Sequence, residues 1–475
     1  MKKNKPTLFI IVIALLAFTS CSEAPQREEN TSQFEHFITV EGDKLYEGDK
    51  EFRFITFNIP NLHVNEDPMP DGWHRNEQWE IEDAFRTISQ IGGRVIRMYV
   101  PSIRGGIRPG FDKMAHIYAP GEYDEELFRD LDLVLKTANE FGIRVIIPLV
   151  DNNRYFGGNL EFAAFYNTGN EEKTRDDFYN DPEIVAGFKH YVAFMLERVN
   201  TYTGIPYKED KAIMAWETGN EISPPPHWSQ EIAALIKNIA PNQLVMDGNF
   251  YIQESSLHIP ELDILSAHYY WGREMLLDSL RADIELIDGK KPFIVGEVPV
   301  RDTVELASLL DTIINNNVVG LGVWSLRFRD IKGGFYFHYH GGPAPMGGLV
   351  YRWPGFPNGD IVNERGVFKV MRRKAHEIKG VPMPPLPVPE PPYLFDITAD
   401  GKIGWRGQTG SAYFILEKAE KKNGPWLVAE GELYDDGCPF EPFQLTDEHG
   451  KGLFYRMKAV NESGVSQPSN IVKYN

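Results

Sequence analysis

The stretch "AWETGNEISPPP", Ala215 to Pro226, holds two glutamates four residues apart. Paired carboxyl groups cleave glycosidic bonds, one as proton donor and the other as nucleophile or base. The apolar run from Ala212 to Trp216 reads as a buried strand ending near Asn220, and the three prolines at 224–226 are expected to forbid a helix just after it. On such a strand, residues 217, 219 and 221 face the same way at about 3.3 Å per residue, which puts Glu217 and Glu221 about 13 Å apart. Retaining enzymes hold their carboxyls roughly 5–5.5 Å apart and inverting ones roughly 6.5–9.5 Å. The two glutamates therefore cannot partner each other, and the second acid must come from elsewhere. Glu297 in "PFIVGEVPV" follows an apolar run just as Glu221 does.

Eight short apolar runs could carry such residues: Phe54–Phe57, Val95–Val100, Val145–Val150, Ile213–Trp216, Leu244–Met246, Ile264–Ser266, Phe293–Val295 and Val318–Trp324. Helical spacing lies between several of them, in Ile81, Ala84, Phe85, Ile88 and Ile91, in Leu127, Leu131, Val134, Leu135 and Ala138, and in Ile184, Phe188, Val192, Met195 and Val199. This alternation predicts a parallel sheet closed as an α/β (β/α)8 TIM barrel. An open doubly wound sheet is the competitor, disfavoured because no Gly-rich phosphate loop follows the first strand. Barrel chemistry sits at the C-terminal strand ends. Those ends bring Arg97, Asn220 with Glu221, His268 with Tyr270, Glu297 and Trp324. Strands 4 and 7 face each other across an eight-stranded ring, so Glu221 and Glu297 can point into one cleft. Glu217, one layer down inside the barrel, is expected to pair with a base such as Arg97 and to position rather than react.

The Gly-Asp turns at 42–43 and 48–49 predict a hairpin ahead of the barrel. Lys2, Lys3 and Lys5 precede an apolar core from Leu8 to Phe18, too short for a mature membrane span. The end of this leader, Phe18-Thr19-Ser20-Cys21, resembles a bacterial lipobox with Phe where Leu is usual. It implies cleavage after residue 20, lipidation of Cys21 and a membrane-anchored lipoprotein of the cell envelope. Cys438 would then be the one cysteine side chain left to a mature chain, with no partner for a disulfide. Residues 21–36 read as a polar tether. The barrel is expected over 37–380, and "VPMPPLPVPEPP" at 381–392 as a stiff Pro-rich linker. Residues 393–475 resemble a fibronectin type III β-sandwich, with Trp405, Tyr413 and Tyr455 as core aromatics. A net charge of −19 argues against nucleic acid and polyanionic substrates as partners and suits a neutral polysaccharide.

Taken in order, these motifs resemble glycoside hydrolase family 5, above all its endo-β-1,4-mannanase branch. The residues that carry the likeness are Trp216-Glu217-x-x-Asn220-Glu221, the segment from Asp177 leading into it, "LVDNNRYFGG" at Leu149–Gly158, His268-x-Tyr270, Glu297 and Trp324. The resemblance implies Glu221 as general acid/base and Glu297 as nucleophile. It implies that Asn220 binds the 2-hydroxyl of the sugar in the −1 site, that Tyr270 orients Glu297 and that His268 supports the polar network. Arg97 would supply positive charge near Glu297, Trp324 the floor under the sugar, and Asn152 of the loop a substrate contact. No cofactor or metal is implied. The chain departs from the branch around the cleft. Asn153 stands where Trp is usual, Arg154 and Tyr155 where acids are common, Gly296 where Glu is frequent, and Val298-Pro299 where an aromatic and Gly follow the nucleophile.

The reading is thus a retaining hydrolase of plant β-mannan. An exo-acting β-mannosidase or a β-glucan-cleaving relative stays open within the enzyme class, and a non-catalytic glycan-binding surface lipoprotein outside it. Trp73, Trp79 and Trp271 are candidate sugar platforms or core residues. His338 and His340 share a face if their stretch is a strand, but lack a third ligand at good spacing for a metal.

Overall fold

The computed structural model describes residues 32–65, 75–106, 114–270, 272–299, 302–336, 350–355, 363–437 and 442–475. The leader, Cys21, Trp73, Trp271, His338, His340 and Cys438 lie outside the described residues. No helix among the described residues is long and apolar enough to cross a membrane.

Each of the eight expected runs contributes a barrel strand. They are β1 (Phe54–Phe57), β2 (Val95–Arg97), β3 (Arg144–Pro148), β4 (Ile213–Glu217), β5 (Leu244–Met246), β6 (Leu265–His268), β7 (Phe293–Val298) and β8 (Gly320–Val323). Two all-parallel arcs, β2-β3-β4-β5 and β6-β7-β8-β1, make the ring. Parallel bridges Asn58–Arg97 and Met246–Ile264 join the arcs and close it. The barrel interior is filled by Phe54, Val95, Ile146, Met214, Leu244, Ile264, Ile294 and Val319. Ile38 and Leu45 of the N-terminal hairpin (Ile38–Glu41 with Lys44–Glu47), and Phe52 shortly after it, join that cluster and plug the end where the strands begin. The opposite end is left for chemistry.

Helices α1 (Gln78–Ile91), α2 (Glu125–Phe141), α3 (Pro182–Glu197), α4 (Pro226–Ile239), α5 (Arg273–Ile287), α6 (Thr303–Asn315) and α7 (Glu364–Ile378) surround the ring. The predicted apolar faces of α1 and α2 are buried in full. Val199 is the exception on the third face: it lies past the end of α3 and is exposed. The prolines after Glu221 do not exclude a helix as expected. Pro226 is itself the first residue of α4, a position where the missing N–H costs no hydrogen bond.

Beyond the barrel, the 381–392 segment is extended and mostly exposed, and it is held from both sides near its middle. Arg372 donates to the Pro384 carbonyl and Asn461 to that of Pro387. Residues from Tyr393 onward form two antiparallel sheets. Leu394, Ile403 and Trp405 of one pack against Phe414, Leu416, Tyr455 and Met457 of the other, as a β-sandwich requires. Tyr413 is only half-buried, because strand alternation gives the core position to its neighbour Phe414.

Candidate active site

Arg97 ends β2, Glu217 ends β4 and His268 ends β6. Glu297 lies within β7, which runs further than the expected Val295. Ile294 faces the barrel interior and Val295 the helices, so strict alternation would turn Glu297 outward. The register between β7 and β8 shifts from Val295 to Val298, and this irregularity brings Glu297 back to the cleft. A glycine is required beside it. A Cβ at Gly296 would stand 2.6 Å from His268 Nε2 and 2.6 Å from Ser266 Oγ.

Glu221 is not on the strand. β4 stops at Glu217, and the chain turns through Thr218-Gly219-Asn220 to place Glu221 at φ 54°, in the left-handed region that few non-glycine residues adopt. The turn is held by Asn220 N–H on the Val150 carbonyl (2.6 Å) and Ile222 N–H on that of Gly248 (3.0 Å). This turn, rather than strand alternation, aims the Glu221 carboxyl.

Arg97 organises the floor of the site. Its Nε and Nη2 donate to the two oxygens of Glu217 at 2.7 and 3.0 Å, Nη1 donates to Glu297 Oε1 at 2.7 Å, and Nη2 also donates to Asn220 Oδ1 at 2.8 Å. The expected pairing of Glu217 is therefore present. The Asn220 amide orientation is fixed from both sides, since its Nδ2 donates to Asp151 Oδ1 (3.0 Å) and to the Tyr99 hydroxyl (3.3 Å). The Tyr270 hydroxyl donates to Glu297 Oε2 at 2.5 Å. His268 Nδ1 sits 2.9 Å from Glu221 Oε1 and 3.7 Å from Glu297 Oε2. One polar atom from each of Glu221, His268 and Glu297 lies within 4.8 Å of the others. A Glu221 oxygen and a Glu297 oxygen are thus at most 4.8 Å apart, on the retaining side of the separation criterion.

The surroundings of the two acids differ. Burial raises the Glu221 carboxyl above its ordinary value, against the Asn153 amide that donates to Oε2 and the Arg97 charge. Glu297 instead accepts from a guanidinium and a hydroxyl. Burial, then the neighbouring Glu297 charge, holds Tyr270 well above the usual phenol range, so it stays a donor. Burial lowers His268 to about 4, so its ring is neutral at neutral pH.

A cleft of about 380 Å³ opens over these groups. Of the expected residues, Asn220, Glu221, Tyr270, Glu297 and Trp324 line it. Arg97 and His268 lie beneath them, 2% and 1% exposed, and act through the carboxyls they touch. Asn152 does not line it: the side chain turns to Asn159, whose amide donates to its Oδ1 at 3.3 Å, and the next residue, Asn153, takes the cleft position. Trp79 is no platform there either, since Arg406 stacks on its ring at 4.3 Å. Tyr99, Tyr155 and Phe250 also line the cleft. Tyr99 stands two residues after Arg97, on the same face by strand alternation, and Phe250 follows the end of β5. Reading those two positions in the sequence would have found them.

A closed parallel barrel thus brings carboxyls from the turn after its fourth strand and from its seventh strand together over a buried arginine, at a separation that suits cleavage of a glycosidic bond. Residues 35–260 match the family model described as GH family 5 beta-mannosidase-like. Mannan endo-1,4-beta-mannosidase 5 of Solanum lycopersicum is 29% identical over 293 residues, 58% of this chain and 66% of that one. Mannan endo-1,4-beta-mannosidase 3 of Arabidopsis thaliana is 34% identical over 271 residues, 55% and 62% of the two chains. The chain spans less than two thirds of the length of these curated relatives. The fold is shared with the endo-beta-1,4-mannanase from Thermotoga petrophila (TM-score 0.58, 20% identity, 90% of this chain and 98% of that one). It is shared too with the family 5 mannosidase from Rhizomucor miehei (TM-score 0.57, 18% identity, 72% and 98%).

Proposed function

We propose that the protein is a retaining β-glycoside hydrolase that cuts β-mannan within the chain. The observation that carries this is the pair of Glu221 and Glu297 oxygens at most 4.8 Å apart in one cleft. The activity for which the curated relatives are named supports mannan as substrate. Glu221, protonated, gives its proton to the glycosidic oxygen as that bond breaks. A Glu297 oxygen attacks the anomeric carbon and forms a glycosyl-enzyme ester. Glu221, now ionised, takes a proton from water, whose oxygen attacks the same carbon and releases Glu297. The Asn220 side chain, lining the cleft beside Glu221, is the group for the 2-hydroxyl, and Trp324 offers an apolar ring to the C–H face of the sugar.

The test is Glu221→Ala. Its activity on substrates with poor leaving groups should fall by about 10²–10⁴-fold. Aryl glycosides with activated leaving groups should lose far less, because they depart without a proton. Azide should accelerate the variant and yield a glycosyl azide of retained configuration, since it attacks the ester without needing a base. Equal losses on both substrate types would remove Glu221 from the role. Chromatography of mannan products separates internal cutting, which gives a ladder of oligomers, from terminal cutting, which gives mannose alone.

The leader also supports lipidation at Cys21 and anchoring in the bacterial cell envelope. Mass spectrometry of the mature N-terminus would show an acylated cysteine, and an unmodified one would dismiss the anchor.

A further inference from the structure

We propose that the C-terminal β-sandwich is a working part of the catalytic unit, with Arg329 and Asp435 as positioning residues that hold the segment carrying Trp324. The inference rests on the reading of Trp324 as the sugar floor.

After β8 the chain does not return directly to α7. Trp324 leads into Ser325, whose carbonyl accepts the Tyr351 N–H at 2.8 Å, and Leu326, whose N–H donates to the Asn58 carbonyl at 2.9 Å. Leu326–Arg327 pairs with Tyr351–Arg352. The same segment then buries Arg329 completely. The Arg329 backbone N–H and Nη1 donate to the two oxygens of Asp83 on α1, at 3.1 and 3.4 Å. Its Nη2 donates to the Trp353 carbonyl at 3.3 Å, and its Nε donates to Asp435 Oδ2 at 2.7 Å. Asp435 belongs to the sandwich and is itself only 9% exposed.

A buried guanidinium is stable only while its partners remain, and breaking one such pair is costly. Asp435 therefore supplies the shortest contact of a charge that the barrel alone does not satisfy. Two further contacts cross the same junction. The Thr409 hydroxyl of the sandwich donates to Asp83, and Phe335 N–H donates to the Gly437 carbonyl at 3.1 Å. The segment is thus clamped at one end by the barrel ladder and at the other by the sandwich, with the floor tryptophan at its start. A module acting as a spacer or as an independent sugar binder would need no buried ion pair on an active-site loop.

The experiment is a double-mutant cycle in the full chain. Asp435→Asn alone should lower kcat/KM by about tenfold, and Asp435→Glu should restore part of it. In a Trp324→Ala background the Asp435→Asn substitution should cost nothing further, because its effect passes through the ring already removed. Additive losses, or a fall in melting temperature with unchanged kcat/KM, would overturn the inference while leaving the hydrolase reading intact. Wild-type activity in Trp324→Ala would overturn the floor role and this inference together. If Asp435→Asn does not fold, the cycle is run with Thr409→Val, which deletes only the sandwich hydroxyl on Asp83. Loss of kcat/KM that vanishes in the Trp324→Ala background again supports the inference, and additive or absent loss again overturns it.

Discussion

Glu297→Ala should lose turnover by roughly 10⁴-fold or more while keeping its fold. The fold survives because Arg97, the cation most exposed to the loss, retains its two-oxygen contact with Glu217 and its bond to Asn220. Catalysis does not survive, because no other carboxyl among the groups lining the cleft is placed across it from Glu221. The vacated space lies beside the Arg97 guanidinium and the Tyr270 hydroxyl, both donors, and suits a small anion. Azide should therefore restore cleavage of an activated aryl β-glycoside and release the α-glycosyl azide, of inverted configuration, since the attack now comes directly from the face that Glu297 occupied. This is the mirror of the outcome expected for Glu221→Ala. Near wild-type turnover in Glu297→Ala, or an azide product of retained configuration, would reverse the assignment of the two acids.

The ring of strands was legible because each is a short apolar run, and a parallel sheet buried on both faces is written in the sequence as such runs. Strand ends then pointed to Arg97, Glu221, His268, Glu297 and Trp324 without any contact being known. What escaped has specific causes. Glu221 reaches the cleft through a left-handed turn that strand alternation cannot forecast, since the strand has already ended at Glu217. Glu297 faces inward by a register shift for which the sequence offers only the neighbouring glycine. Asn152 and Asn153 are adjacent and chemically identical, and which of them enters the cleft is decided by how the loop winds around Asp151, whose carbonyl and carboxylate accept N–H groups from Asn159 and Tyr155. The ion pair between Arg329 and Asp435 joins residues far apart in the chain, and neither lies in a motif that would single it out.

Arg97→Met should be the most damaging substitution to stability and activity together. One guanidinium contacts Glu217, Glu297, Asn220 and, at 3.4 Å, Asn58 Oδ1, all of them buried. Removing it leaves Glu217 in the barrel without its cation, a loss of about 3–5 kcal/mol. Burial already raises Glu217 to about 7 against the pull of Arg97, and without that pull it must rise further. A carboxyl whose folded pKa exceeds its unfolded value stabilises the fold below the unfolded value, near 4.5, and loses that contribution as pH climbs toward the folded one. The denaturation midpoint of Arg97→Met, relative to wild type, should therefore be least depressed near pH 4 and increasingly depressed as pH rises past 7, where the wild-type contribution is already lost and the variant's is still falling. Adding Glu217→Gln should recover much of the stability and flatten this pH dependence, because the carboxyl that faced the guanidinium with both oxygens no longer carries a charge, while Glu297 keeps the Tyr270 hydroxyl. Activity should stay lost in the double variant, since Glu297 and Asn220 still lack the donor that aims them. Recovery of turnover along with stability would mean that Arg97 serves only to neutralise Glu217 and has no part in setting the geometry of the reacting pair.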